Sequence, residues 1–211
     1  MTAAPGGAPF ERLVIATHNG GKLAEFRRLF APYGVEVTSA GELELPEPDE
    51  TGDTFEANSA LKALAAARAS GETALADDSG LCVDALGGRP GVHTADYATR
   101  ADGTRDFPWA MRKLEDELRG RDLREPSERT ASFVAVLCLA TPSGETEHWR
   151  GEVPGHLTWP PEGTEGHGYD PVFVPKGYDR PFGTMKPDEK AAMSHRARAF
   201  EAFAADRLAG R

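Results

Sequence analysis

Short β-branched runs alternate with segments whose apolar residues recur every three or four positions, the pattern of strands interleaved with amphipathic helices. "RLVIAT" (residues 12–17) predicts a buried first strand, and a polar glycine turn then leads to a helical segment over residues 22–30. "GVEVTSA" predicts a second strand. The loop "GELELPEPDETGD" comes next, in which Asp53 or Thr54 can cap a helix over residues 55–70 that Gly71 closes. "TALAD" is a third strand, then "SGLCVDAL" and a turn-rich "GGRPGVHTADYA". A helix over about residues 106–118 places Phe107, Met111, Leu114 and Leu118 on one face, where they serve as core contacts. "TASFVAVLCLAT" and "ETEHWRGEVPGHLTW" flank "PSG" and predict an antiparallel hairpin. After "PPEGTEGHGYDP" come the strand "VFVP" and a last helix over about residues 194–208, with Ser194 as N-cap. Helical crossovers and hairpins together predict an α/β fold with a mixed sheet.

Length narrows this to one sizeable domain over residues 1–211, with residues 1–11 as a flexible leader. A hydrophobic share of 39% against 27% charged residues is that of a folding chain, not a disordered one. The net charge of −10 excludes a protein that tracks a nucleic-acid backbone through a broad basic surface, so an anionic ligand must be met by a few local cations. Two cysteines, Cys82 and Cys138, without any CxxC pair, predict free buried thiols in a reducing compartment. With no signal-peptide pattern and no apolar run long enough for a bilayer, the expectation is a cytoplasmic protein without membrane association.

Four stretches carry chemistry. "THNGGK" (residues 17–22) leaves a strand and enters a helix, so backbone N–H groups and Lys22 suit a phosphate, although a polar turn with an exposed lysine reads the same way. In "ETGDTFEANSALK" (residues 50–62), Asn58 and Lys62 share a helix face and can converge with Glu50, or else form a solvated polar stripe. "ALADDSGLCVDALGG" (residues 74–88) sets Asp77 and Asp78 back to back beside apolar residues. Strand alternation sends their side chains to opposite faces, so at most one is the working group. A turn at Asp78-Ser79-Gly80 explains the pair economically. A hard cation held by Asp78 and Glu50 explains it equally, since magnesium takes one or two carboxylates and leaves other positions to water and phosphate. Finally, "GHGYDP" presents His167, Tyr169 and Asp170 on a loop turned by Gly166 and Gly168, while Lys190, His195 and Arg196 gather near the start of the last helix.

The ordered set "THNGGK", "ETGDTFEANSALKA", "ADDSGLCVDAL", "GGRPGV", "GYDPVF" and "EKAAMSHRARA" resembles the inosine triphosphate pyrophosphatase family over nearly the whole chain. The resemblance implies an elongated mixed sheet flanked by helices, two lobes with a central cleft, and a homodimer. It implies magnesium-assisted attack of water on the α-phosphorus of deaminated purine nucleoside triphosphates (ITP, dITP, XTP), giving the monophosphate and pyrophosphate and cleansing the nucleotide pool. Asp78 then corresponds to metal ligand and general base, Glu50 to the partner carboxylate, Lys62 to the cation near the reacting phosphate, and Asp77 to a supporting neighbour. Thr17, His18, Asn19, Gly20, Gly21 and Lys22 correspond to the triphosphate loop, with Ser79 a further contact. His167, Gly168, Tyr169, Asp170, Lys190, His195 and Arg196 correspond to the base and nucleotide pocket. Arg196 has only donors, so it suits the O6 acceptor of hypoxanthine or xanthine and opposes the amino group of adenine. The family often has phenylalanine at His167 and arginine at Asp96. The other readings are broader base tolerance conferred by His167 and a nucleotide sensor without turnover.

Overall fold

The computed structural model describes residues 10–208; most of the expected leader, residues 1–9, lies outside them. Six strands form one sheet in the order β2-β1-β3-β4-β5-β6. They are β1 (Arg12–Ile15), β2 (Glu36–Ser39), β3 (Ala74–Val83), β4 (Thr130–Ala140), β5 (Thr146–Leu157) and β6 (Phe173–Pro175). The helices are α1 (Gly20–Phe30), α2 (Phe55–Ser70), the single turn α3 (Thr94–Tyr97), α4 (Phe107–Gly120), α5 (Pro187–Ala191) and α6 (His195–Arg207). β1 pairs in parallel with both β2 and β3, whereas β5 and β6 pair antiparallel. The sheet is therefore mixed, as the sequence predicts. β4 and β5 are neighbours joined by only residues 141–145, too few for a parallel crossover.

The chain divides into two compact units. Of the described residues, the first comprises 10–78, 135–151 and 199–208. Its core gathers Leu13 and Ile15 of β1, Phe26 and Phe30 of α1, and Phe200 and Phe203 of α6. Leu13, Val14 and Ile15 are all buried, so β1 has apolar neighbours on both faces, which is why it reads as an unbroken β-branched run rather than an alternating one. A second cluster, built from Val14, Ala63, Ala66, Ala67 and Ala76, explains the alanine-rich face of α2: small side chains let the helix pack close to β1 and β3. The second unit comprises residues 79–134 and 152–198. Its core joins Leu114 and Leu118 of α4 to Phe133, Phe173, Tyr169 and Phe182.

Two elements differ from the sequence reading. α1 begins at Gly20, two residues early, because Asn19 caps it by accepting the N–H groups of Gly21 and Lys22. The third strand does not end at Asp77, and the turn alternative at Asp78-Ser79-Gly80 does not hold: β3 runs unbroken from Ala74 to Val83 and carries both aspartates in its middle. The stretch after Gly88 is turn-rich as read, holding the single-turn α3 and a short 3-10 turn.

Candidate active site

Two aspartates inside a continuous strand should face opposite ways, and they do so with one lysine each. The Asp77 carboxylate, 4% exposed, accepts a hydrogen bond from Lys22 Nζ of α1 at 2.9 Å. The Asp78 carboxylate, 6% exposed, accepts one from Lys62 Nζ of α2 at 2.8 Å. Lys62 also donates to Glu50 Oε1 at 2.8 Å, so a single ammonium bridges two carboxylates from different parts of the chain. Lys62 is only 8% exposed, and the solvated-stripe reading of α2 does not hold.

Local structure explains how Glu50 reaches this point. Thr54 caps α2 by accepting from the Ala57 N–H, and the buried Asn58 side chain accepts from the Gly52 N–H at 2.7 Å, which folds the Glu50 loop back onto the first turn of the helix. Gly52 has no room for a side chain there, since an added Cβ would lie 2.7 Å from Ala57 Cβ and from Asn58 Oδ1. One helical turn beyond Asn58, Lys62 points the same way.

Burial raises the Asp78 pKa to about 6, against the opposing pull of Lys62, so the group is mostly ionised at neutral pH yet near the range of a working base. Burial alone would lower the pKa of Lys62, but Asp78, Asp77 and the bonds to Asp78 and Glu50 outweigh it and raise the value, keeping the ammonium charged. Asp78 Oδ2 is buried with no hydrogen-bond partner among the described residues, while Glu50 is half-exposed. Hard carboxylate oxygens, one of them unsatisfied, are the donor set that fits magnesium. Among the described residues no three His, Cys, Asp or Glu side chains are placed to enclose a metal.

The glycine loop is less open than its sequence suggests. Thr17 Oγ1 accepts from the Asn19 N–H, and Asn19 is occupied as the cap of α1. Gly20 and Gly21 form the first helical turn, and His18 Nε2 meets the Leu45 carbonyl at 2.8 Å. Lys22 keeps about a third of its side chain exposed beyond its bond to Asp77.

In the second unit, His167 is exposed and packs its ring edge against Phe107 at 5.0 Å, while its backbone N–H donates to Asp170 Oδ2 at 2.6 Å. Tyr169 and Asp170 are each 1% exposed. Tyr169 packs on Phe107 and donates to the Thr94 carbonyl, and Asp170 forms an ion pair with Lys190. His195 stacks on Phe133 at 5.2 Å, Arg196 comes next in the first turn of α6, and Ser194 caps that helix by accepting from the Ala197 N–H. Ser79 is half-buried in β3. In the sequence Phe107 and Phe133 are legible only as core positions; no local signal marks a ring that meets a histidine about 60 residues away.

Residues 13–206 match the model of the Ham1 family. The chain belongs to the Ham1 family. Within it, the chain is 58% identical over 200 residues to the dITP/XTP pyrophosphatase of Rhizobium meliloti strain 1021, covering 91% of this chain and 94% of that protein. It is 57% identical to the dITP/XTP pyrophosphatase of Agrobacterium fabrum strain C58, covering 90% and 93%. The solved structure of a HAM1 protein from Coxiella burnetii matches at a TM-score of 0.85 and 33% identity, covering 92% of this chain and 97% of that one. A nucleoside-triphosphatase, or dITP/XTP pyrophosphatase, from Mycobacterium abscessus matches at 0.73 and 37% identity, covering 91% and 98%. The mixed sheet flanked by helices is thus that of Ham1-family structures.

Proposed function

We propose that this Ham1-family chain hydrolyses deaminated purine nucleoside triphosphates, dITP, XTP and ITP, to the monophosphate and pyrophosphate. One observation carries the reading: a buried lysine joins two carboxylates, one with an unsatisfied oxygen, in a chain whose relatives are named dITP/XTP pyrophosphatases. Neither a sensor without turnover nor a broadened base range draws support from those relatives.

In this reading Asp78 and Glu50 hold Mg2+, which when bound supplies charge neutralisation to the triphosphate and polarises the α-phosphoryl group. Asp78 takes the proton from the attacking water. The water oxygen bonds to the α-phosphorus, and the bridging oxygen to the β-phosphorus leaves with its electron pair as pyrophosphate. Lys62 offers its ammonium to the charge that develops on the phosphoryl oxygens, and Lys22, steadied by Asp77, meets the distal phosphates. These lysines supply the local attraction that a chain of net charge −10 otherwise lacks. Thr17, His18, Asn19, Gly20 and Gly21 shape the phosphate loop, with Ser79 as a further contact.

The base falls to the second unit. His167 supplies a planar surface, Lys190, His195 and Arg196 supply donors, and Gly168 lets the loop turn. Tyr169 and Asp170 act as positioning residues, since their burial and protein partners support a framework role. No described helix is long and apolar enough to cross a membrane. We place the reaction in the cytoplasm, where nucleotide pools are held, and the working form as a homodimer.

The test is product analysis with magnesium and a panel of ITP, XTP, ATP, GTP and dTTP. Inosine monophosphate and pyrophosphate from ITP, with ATP and GTP largely spared, is the expected result. Survival of ITP, or release of orthophosphate alone, overturns the reading.

A further inference from the structure

Lys62 stands where a cation between Glu50 and Asp78 would stand. Its nitrogen lies 2.8 Å from an oxygen of each, on a side chain that α2 delivers from the buried side. An ammonium is a compact point charge with three donors, and two of them are spent on these carboxylates. The three groups together retain one net negative charge, and the oxygen that lacks a partner, Asp78 Oδ2, belongs to the same carboxylate that Lys62 already engages.

We propose that Lys62 is an internal counter-cation that holds Glu50 and Asp78 together in the metal-free protein and competes with the divalent ion for them. This rests on the reading of Glu50 and Asp78 as metal ligands and deepens it. Two carboxylates sharing one ammonium, Asp78 buried and Glu50 half-exposed, repel one another, and the lysine suppresses that repulsion. A dication entering beside the ammonium meets like charge, so the metal alone binds weakly; a triphosphate or pyrophosphate supplies the negative charge that relieves the conflict. Lys62 is then drawn from the carboxylates toward the phosphate oxygens. The lysine therefore ties retention of the metal to the presence of a polyphosphate.

The test measures metal binding rather than turnover. Mn2+ is titrated at pH 8 into the parent, Lys62→Met, Lys62→Gln and Asp78→Asn, with free Mn2+ read by electron paramagnetic resonance and folding checked by circular dichroism. Both Lys62 variants are expected to bind Mn2+ on the order of tenfold more tightly than the parent, and to gain less affinity when pyrophosphate is added. The parent, labelled with 15N-lysine, reports independently of any variant: its Lys62 ammonium resonance shifts on addition of Mg2+ with pyrophosphate. Equal or weaker Mn2+ affinity in the folded Lys62 variants, or an unmoved resonance, overturns the exchange. If Asp78→Asn still lowers Mn2+ affinity in that event, the metal-site reading survives. If Asp78→Asn binds Mn2+ like the parent, both fall.

Discussion

Asp78 is costly to bury, and that cost has a pH signature. Its carboxyl pKa rises from 3.8 to about 6 chiefly through burial, which favours the protonated form in the folded state. Such a raised pKa contributes stability that is fully present below the unfolded value and is lost as pH rises through about 6. The change corresponds to roughly 3 kcal/mol at most. Lys62, whose pKa is raised from an already high value, stays charged across this window and adds no slope. Urea unfolding at pH 5 and pH 8 in chelator is therefore expected to show the parent losing stability relative to Asp78→Asn as pH increases. A constant difference between the two would show that Asp78 titrates as an ordinary exposed carboxylate. Asp77, one residue earlier on the same strand, directs its side chain to Lys22, so adjacent acids separate into a lysine anchor and a group with a spare oxygen.

At the scale of elements, the legible parts of the site are those held by neighbours in sequence. Thr54, the bounds of α2, the Gly71 stop and the shared face of Asn58 and Lys62 all derive from local capping and helical spacing. What the spacing does not reveal is burial, because that depends on β1 and β3 packing against the alanine face of α2. The pairing of Lys22 with Asp77 is also hidden. It depends on β1 and β3 lying parallel, with Ile15 beside Leu75, which brings α1, the helix that follows β1, next to Asp77 within β3 across 55 residues of chain. β3 itself reads as a strand and a turn because Asp-Ser-Gly is common turn chemistry; Lys22 and Lys62 remove the reason to turn by giving each acid a cationic partner within the strand. The loop before α2 gives the sharpest test of this level. Asn58→Ala leaves the Gly52 N–H without its side-chain partner and frees Glu50, so stability is expected to fall by about 1–3 kcal/mol. Mn2+ affinity should fall with it. Thermal unfolding together with the Mn2+ titration checks both, and a variant that loses stability but binds Mn2+ like the parent would mean that Glu50 is placed by something other than Asn58.

On the scale of the whole molecule, the two units have separate apolar cores but not separate chains. β3 passes from the first unit to the second after Asp78, β4 passes back after Val134, and β5 crosses again after Gly151. Each core thus depends on strands whose other half belongs to its neighbour, and hydrogen-bonded strand order is continuous through β3, β4 and β5. Both units draw on the same three strands of the chain, so their unfolding is expected to be coupled. Phe203 of the first core and Leu118 of the second are both fully buried, so Phe203→Ala and Leu118→Ala should each cost roughly 3–5 kcal/mol. Despite lying in different units, both are expected to shift one common transition, seen as coincident urea curves from tryptophan fluorescence and far-ultraviolet circular dichroism. Trp149 reports on the first unit and Trp109 and Trp159 on the second, so a transition that split in only one variant would separate by probe. Such a split would mean that the strand crossings do not couple the cores, and that the phosphate-binding and base-binding residues proposed for the two units could fold independently.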